Sequence, residues 1–157
     1  MAQEIERKYL VTDAVLPLLQ AGTAYVQGYL ARSDRLAVRA RIAGERAWLT
    51  IKSAGSGGAV PVRLEFEYAI PAADARSMLA DLVEGPVIRK TRYCIRHAGS
   101  LWEVDVFDGD NRGLIVAEIE LDSPDQEFER PPWLAQEVTA DPRYLNANLA
   151  LHPYRQW

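Results

Sequence analysis

Apolar and polar residues alternate along much of the chain, in short runs that turn-forming residues separate. The first run, "EIERKYL", places Glu4, Glu6 and Lys8 at alternate positions. Because successive side chains of a strand point to opposite faces, this run predicts a strand from about Gln3 to Val11 with these three charges on one face. Such a face is either an exposed rim or a surface that binds ions.

Seven further runs alternate in the same way and predict strands. They are "AYVQGYLA", "RLAVRARI", "RAWLTIKS", "VRLEFEYAI", "VIRKTRYCIRH", "LWEVDVFDG" and "GLIVAEIELDS". Short turn signals such as "RSD" and "AGE" separate the first four, which indicates an antiparallel meander. The segment "SAGSGGA" at 53–59 lacks the Gly-Lys-Ser/Thr ending of a phosphate-binding loop, so we interpret it as a flexible connection.

Other segments have helical character. "TDAVLPLLQAG" predicts a short helix that is capped by Thr12 or Asp13 and ends at Gly22. "PAADARSMLADLVEG" has apolar residues at helical spacing and Gly85 as its stop. The C-terminal "PPWLAQEV" and "DPRYLNANLAL" are also predicted to be helical, the second with Asp141 as a cap. About eight strands and three or four helices predict an α+β domain whose antiparallel sheet is curved or closed into a barrel.

Composition narrows the class of protein. The 157 residues fit one domain, 1–157, with 48% hydrophobic and 25% charged residues, as in folded soluble proteins. A net charge of −4 gives no reason to expect bulk nucleic-acid binding, and the lone Cys94 excludes an intramolecular disulfide and a Cys-based zinc site. With no long apolar run, we expect a cytoplasmic protein without a membrane span.

Ionisable residues recur on one face of several predicted strands. They comprise eight carboxylates, Glu4, Glu6, Glu65, Glu67, Glu103, Asp105, Glu118 and Glu120, and seven cations, Lys8, Arg39, Arg41, Lys52, Arg63, Lys90 and Arg92. A half-exposed polar face explains any one strand, but pairs of like charge recur across the set with little Ser, Thr or Gln. If the face points inward, burial requires that the charges be paired. The remaining cations and carboxylates would suit a phosphate chain that carries a divalent metal ion.

"EIERKYL" resembles the Glu-x-Glu-x-Lys signature of the CYTH superfamily, the triphosphate tunnel metalloenzymes. The likeness continues in order through "VRAR", "TIK", "RLEFE", "RKTRY", "WEVDVF", "LIVAEIEL" and "EVTADPRYLNANLA", and so covers nearly the whole chain. It implies a single CYTH domain with an eight-stranded, closed antiparallel tunnel, a few surrounding helices and a C-terminal helix that closes one tunnel end. In such a tunnel, basic residues bind triphosphate and acidic residues bind Mg²⁺ or Mn²⁺.

The resemblance also implies roles for individual residues. The metal carboxylates would be Glu4, Glu6, Glu118 and Glu120, with Glu65, Glu67 and Asp105 as weaker candidates. The phosphate ligands would be Lys8, Arg39, Arg41, Lys52, Lys90 and Arg92. We expect Lys8 and Arg39 to matter most for rate, and Glu65 to position or activate water. Arg63 and Glu103 have an equally good interpretation as structural partners, Arg63 with Glu65 or Glu103.

The remaining candidates leave direct attack by water as the simplest mechanism. His97 and His152 lie outside the motif segments, and Cys94 has no His partner in the pattern, so a protein nucleophile is not indicated. Tyr29 points either into the lumen or outward, and Trp48 either stacks on an organic group at a tunnel mouth or packs in the core or rim.

The favoured function is hydrolysis of inorganic triphosphate, a small-molecule substrate, without nucleic acid or membrane. The alternatives are a class IV adenylate cyclase, a thiamine or nucleoside triphosphatase, and a non-catalytic module that binds polyphosphate or nucleotide. A homodimer is left open.

Overall fold

A closed antiparallel barrel of eight strands forms the body of the protein, as the sequence predicts. The computed structural model describes residues 2–55 and 59–157. The strands are β1 (Gln3–Val11), β2 (Thr23–Arg32), β3 (Leu36–Ala43), β4 (Arg46–Ser53), β5 (Val62–Ile70), β6 (Ile88–His97), β7 (Ser100–Phe107) and β8 (Ile115–Glu120). Their order is β5-β4-β3-β2-β6-β7-β8-β1, and β1 pairs back onto β5 to close the barrel. The predicted connection at 53–59 lies partly outside the described residues.

Closure depends on β1, which has different partners along its length. Its beginning pairs with β5, where Gln3 faces Leu64. Its other edge pairs with β8, where Glu6 faces Glu120 and Lys8 faces Glu118. The strand that carries the first charged run therefore joins the two ends of the sheet.

The segment "PPWLAQEV" is not helical, so that prediction was wrong. Leu134–Glu137 forms a short strand, β9, which pairs with the last part of β1. That part of β1 lies beyond its pairing with β5, and its backbone groups need partners. A long-range ion pair between Arg7 and Glu137, 2.6 Å apart, also holds β9 in place.

Two predicted helices are shorter than expected. The first is a 3₁₀ segment at Asp13–Leu18 that contains Pro17, a residue that cannot donate a backbone hydrogen bond. The second, α1 (Ala72–Asp81), ends before Gly85 because the backbone N–H of Glu84 donates to the carbonyl oxygen of Tyr29 on β2.

The C-terminal helical prediction is confirmed over 142–151. A 3₁₀ turn spans Pro142–Tyr144, and α2 spans Asn146–Leu151. The Asp141 side chain accepts a hydrogen bond from the backbone N–H of Arg143, which is the predicted cap. Within 2–55 and 59–157, no helix is long and apolar enough to span a membrane.

The apolar core has two parts, on opposite sides of the barrel wall. One cluster, which includes Tyr9 and Trp102, packs on the outward faces of β1, β7 and β8. The second includes Phe107 and Leu149 of α2. Phe107 lies opposite Lys90 in the sheet and so shares the inner face with the charged residues, which places this cluster at one end of the barrel beneath α2. With the outward faces covered by the first cluster, the alternating charged faces point into the barrel.

Candidate active site in the barrel lumen

The barrel encloses a cavity of about 500 Å³. Fourteen of the fifteen predicted ionisable residues line it. Asp105 is the exception: it shares the same face but is fully buried under Lys90 and Arg92, which donate hydrogen bonds to it. The inward orientation of the charged face, which alternation alone could not establish, is thus what the structure shows.

A cationic wall is formed by β3 and β6, which pair with opposite edges of β2. Arg41 of β3 and Arg92 of β6 both lie over the ring of Tyr25, with guanidinium carbons 5.0 and 4.9 Å from its centroid. Burial, and then the neighbouring cations Arg39 and Arg92, lower the pKa of Arg41 to about 10. Concentrated positive charge of this kind favours an anionic ligand.

Arg39 contributes a further donor to this wall. Its Nη2 donates to Thr50 Oγ1 at 3.3 Å and lies 3.6 Å from Glu67. Its Nε is buried and has no hydrogen-bond partner among the described residues. An unsatisfied buried donor is costly unless a ligand accepts from it, so this atom suits a phosphate oxygen.

Asp105 orders the cations on β6. Its Oδ2 accepts from Lys90 Nζ at 2.7 Å and from Arg92 Nη2 at 2.8 Å, and its Oδ1 accepts from Arg92 Nε at 2.7 Å. Burial opposes the charged form of Asp105, but these two cations outweigh it and lower the pKa of its carboxyl. We therefore favour a role in orienting Lys90 and Arg92 over the predicted role of Asp105 in metal binding.

Carboxylates dominate the other side of the lumen. Glu4 accepts from Lys52 Nζ and Arg63 Nη2, each at 2.8 Å, and these cations overcome burial to lower its pKa to about 2. Glu118 lies 3.6 Å from Lys8 Nζ and 3.9 Å from Arg92 Nη2. Burial raises its pKa, but Lys8 and Arg92 outweigh burial and lower it.

Glu6 is the least compensated carboxylate of this group. Its nearest ion-pair contact is to Arg63 at 3.6 Å. Burial and the charges of Glu118 and Glu4 raise its pKa to about 8. Burial and the nearby carboxylates Glu4 and Glu103 also raise the pKa of Glu120.

The donor chemistry of these carboxylates fits a divalent cation. Hard oxygen ligands suit Mg²⁺ and Mn²⁺, and positive charge beside Glu6 would relieve the repulsion that raises its pKa. Within 2–55 and 59–157, however, no three carboxylate, His or Cys side chains are already gathered as a metal cage. The predicted ligands therefore share one region of the lumen without forming a preassembled site.

The other predicted residues take specific partners. Glu65 lies 3.2 Å from Lys52 Nζ, and burial together with a hydrogen bond to Glu4 raises its pKa to about 7. Arg63 pairs with Glu4 and Glu6, not with Glu65 or Glu103 as the structural interpretation supposed. The register explains this difference, because β1 and β5 place Glu4 directly opposite Arg63.

The remaining pairs lie at the edges of the lumen. Glu103 lies 3.1 Å from Arg92 Nη1, and Glu67 accepts from Thr50 Oγ1 at 2.9 Å. Tyr29 lines the cavity and so points into the lumen rather than outward. Trp48 also lines the cavity, a position that fits both stacking on an organic group and packing at the rim. Cys94 is exposed, in keeping with the absence of a His partner in its pattern.

Sequence reasoning missed several polar residues of the lumen. Gln27 is fully buried and accepts from Arg41 Nε at 2.8 Å, and Asn146 approaches it from α2. The sequence pattern that could have identified Gln27 is the alternation of Tyr25, Gln27 and Tyr29 along β2. Because this strand carries no charge at these positions, a search based on charge passes over it.

The chain resembles known proteins over almost its full length. Residues 2–154 match the CYTH domain family model. An inorganic triphosphatase of Acetivibrio thermocellus is 43% identical over 157 residues, which cover 100% of this chain and 99% of the relative. One of Nitrosomonas europaea is 40% identical over 152 residues, which cover 94% and 97%.

A solved structure shows the same architecture. The crystal structure of the inorganic triphosphatase NE1496 has a TM-score of 0.65 and 36% identity, and the match covers 96% of each chain. The order of motifs, the closed barrel and its charged lumen are all consistent with these matches. The chain belongs to the CYTH domain family.

Proposed function

We propose that the protein is an inorganic triphosphatase, which uses water to cleave the terminal phosphoanhydride bond of tripolyphosphate inside the barrel. The observation that carries this proposal is the division of one enclosed cavity of about 500 Å³ into a cationic wall and an incompletely compensated carboxylate cluster. The relatives that match over nearly the whole chain are named inorganic triphosphatases, which supports the same activity.

The cations of the lumen bind and orient the phosphate chain. They are Lys8, Arg39, Arg41, Lys52, Lys90 and Arg92, and all six line the cavity. Cations that the protein already holds in place stabilise the charge of the transferred and leaving phosphates without reorganisation during reaction. The free Nε of Arg39 and the crowded guanidinium of Arg41 make these two residues strong candidates for direct contact with phosphate oxygens.

Glu4, Glu6, Glu118 and Glu120 would hold Mg²⁺ or Mn²⁺. Such an ion supplies positive charge to the phosphoryl oxygens and orients the substrate. Asp105 stays outside this proposed set, because it is fully buried, does not line the cavity and accepts from the β6 cations with both oxygens. Glu67, whose Oε2 accepts from Thr50, stays a weaker candidate.

Glu65 is the proposed acceptor for the proton of the attacking water. Its pKa of about 7 keeps a substantial fraction ionised near neutrality while leaving it basic enough to accept a proton. The water oxygen bonds to the terminal phosphorus, and the bridging P–O bond breaks with its electron pair going to the leaving group. The products are orthophosphate and pyrophosphate, with Lys8 and Arg39 offsetting the charge that develops.

A nucleoside triphosphate is a second candidate substrate. Trp48 lines the cavity beside Arg41, its cross-strand neighbour, and could stack on an organic group attached to a phosphate chain. This route includes cyclisation of ATP as well as its hydrolysis. A sensor that only binds the anion is less well supported, since anion binding alone would not require the crowded carboxylates around Glu6.

The test is to incubate purified protein and Mg²⁺ or Mn²⁺ with tripolyphosphate, ATP or thiamine triphosphate. Orthophosphate, pyrophosphate and cyclic AMP are then measured, with a matched EDTA sample as control. We expect the fastest turnover with tripolyphosphate and none in EDTA. Cyclic AMP from ATP would overturn the hydrolase assignment, and binding without turnover of any substrate would establish the sensor instead.

A further inference from the structure

A chain of side-chain amides connects the two parts of the cationic wall. Gln27 Oε1 accepts from Arg41 Nε at 2.8 Å, and Gln27 Nε2 donates to Asn146 Oδ1 at 3.2 Å. Asn146 Oδ1 also accepts from Lys90 Nζ at 3.1 Å. The hydrogen bonds therefore run from Arg41 through both amides to Lys90.

The orientation of both amides is fixed by the residues at the ends of this chain. A guanidinium donates and cannot accept, so Gln27 must present its carbonyl oxygen to Arg41 and its NH₂ group to Asn146. The ammonium of Lys90 likewise donates, so Asn146 must present its carbonyl oxygen to both neighbours. One arrangement of the two amides satisfies every contact.

Burial raises the free-energy cost of breaking this chain of hydrogen bonds. Gln27 is fully buried and Lys90 is 2% exposed, so water cannot readily replace a lost amide partner. Lys90 Nζ uses the oxygens of Asp105 and Asn146 as two acceptors, which fixes its direction at the edge of the cavity. Losing either acceptor would leave a buried donor poorly satisfied and free to move.

Asn146 reaches this position because the C-terminal segment is fastened over the lumen. Arg32 donates to the carbonyl oxygen of Ala147 at 3.0 Å and to Asn148 Oδ1 at 2.6 Å. Lys8 Nζ donates to the carbonyl oxygen of Tyr144 at 3.3 Å. The start of α2 thus forms part of the cavity wall, and its placement is coupled to cations of the lumen.

We infer that Gln27 and Asn146 are positioning residues for triphosphate hydrolysis, which hold Arg41 and Lys90 in register through one polarised amide chain. This inference rests on the proposed function and deepens it. Neither amide takes part in the chemical step. Docking of α2 completes the chain, so the C-terminal segment sets the geometry of the phosphate-binding wall as well as covering it.

A matched pair of charge variants tests the polarity of the chain. Asn146→Asp and Gln27→Glu each replace an amide by a carboxylate in the same wall. The new carboxylate at 146 still accepts from Gln27 and Lys90, whereas the one at 27 accepts from Arg41 but meets the Asn146 carbonyl oxygen as a second acceptor. We expect kcat/KM for tripolyphosphate to be about tenfold lower in Gln27→Glu than in Asn146→Asp. Equal losses, or the reverse order, would overturn the inference.

A double-mutant cycle tests whether the two residues act together. Gln27→Met, Asn146→Leu and the double variant are compared by kcat/KM after thermal unfolding has shown that each is folded. We expect the double variant to lose little more activity than the more impaired of the two single variants, because either change interrupts the same chain. Losses that multiply would contradict a shared role.

Glu65→Gln, combined with Gln27→Met, is the control from the other side of the lumen. Glu65 contacts Lys52 and Glu4 and no member of the chain, so its losses should multiply with those of Gln27→Met. If Gln27→Met or Asn146→Leu prevents folding, the comparison of Gln27→Glu with Asn146→Asp alone tests the inference. Failure of the unaltered protein to hydrolyse tripolyphosphate would refute the proposed function, whereas an active protein with additive variants refutes the amide chain alone.

Discussion

The lumen contains two charged regions, which differ in how fully opposite charges offset one another. Around Asp105, two cations and one carboxylate satisfy one another through short hydrogen bonds in a fully buried setting. Around Glu6, burial and the charges of Glu118 and Glu4 raise the pKa of its carboxyl to about 8. The first region is preorganised by the protein itself, whereas the second keeps a repulsion that a bound cation would relieve.

This difference separates two tasks that alternation along a strand does not distinguish. Preorganised cations can receive an anion without rearrangement, which is what transition-state stabilisation requires. Crowded carboxylates raise the free energy of the ligand-free protein and are relieved by a bound cation. The comparison predicts that substitutions in the first region will act on stability, and those in the second on metal dependence.

Removing the charge of Asp105 should have the largest effect on stability. Asp105→Asn removes the only buried carboxylate that accepts from both Lys90 and Arg92 among the described residues, and we expect a loss of about 3–5 kcal/mol in the free energy of unfolding. Denaturant unfolding measures it. Glu103→Gln is the control, because Glu103 pairs with Arg92 from a position that is about one third exposed. Equal losses in the two variants would contradict the distinction between a buried partner and a partner at the rim.

Removing Glu4 or Glu6 should act mainly on activity. For Glu4→Ala and Glu6→Ala we expect turnover of tripolyphosphate to fall by about 100-fold and the metal concentration needed for half-maximal rate to rise. Glu6→Ala should remain as thermally stable as the unaltered protein, since it removes a repelled charge. If both variants keep full activity, the proposed metal site is wrong.

The pH dependence of stability sharpens the same comparison. The pKa of Glu6 is raised from 4.5 to about 8, so the folded state binds more protons than the unfolded state between these values. Stability from this group is present at low pH and is lost as the pH rises through the window. At about pH 8 without metal, Glu6→Gln should therefore have a higher free energy of unfolding than the unaltered protein, and the difference should grow as the pH rises through this window.

Thermal unfolding across this pH range, with and without Mg²⁺, measures the effect. Added Mg²⁺ should stabilise the unaltered protein and have less effect on Glu6→Gln. A variant that is less stable than the unaltered protein at high pH would show that Glu6 is not under repulsion.

Removing an ion pair outside the barrel should have the smallest effect on stability. Arg7 and Glu137 lie 2.6 Å apart and are each about 30% exposed at the side chain. Glu137→Gln should cost about 0.5–1 kcal/mol of stability, because solvent screens a pair of this kind. Its kcat and KM should stay unchanged, so a substantial loss of activity would show that β9 influences the lumen.

Much of the barrel could be predicted from the sequence, because the alternation of polar and apolar residues within each strand shows which residues share a face. Glu-x-Glu and Arg-x-Arg spacings placed the charged residues on one face of each strand, and the resemblance to the CYTH family supplied the closure into a tunnel that turns this face inward. β9 could not be recognised in this way. The residues at 134–137 become a strand because β1 presents unpaired backbone groups beyond β5, which is a tertiary effect and not a local propensity.

The partners within the site depend on register, and so they could be predicted less well. Arg63 lies next to Glu65 in the alternation of β5, yet its closest contacts are to Glu4 and Glu6 across the closure of the barrel. Gln27 and Asn146 are far apart in sequence and uncharged. Their meeting depends on where α2 docks, which no spacing within a strand reports.

The most direct test of the account is ³¹P NMR of tripolyphosphate incubated with the folded protein, in Mg²⁺ and in EDTA. The account predicts conversion to equal amounts of orthophosphate and pyrophosphate in Mg²⁺ and no conversion in EDTA. Unchanged tripolyphosphate in Mg²⁺, or equal hydrolysis in EDTA, would contradict the claim that the crowded carboxylates and the cationic wall together form a metal-dependent triphosphatase site.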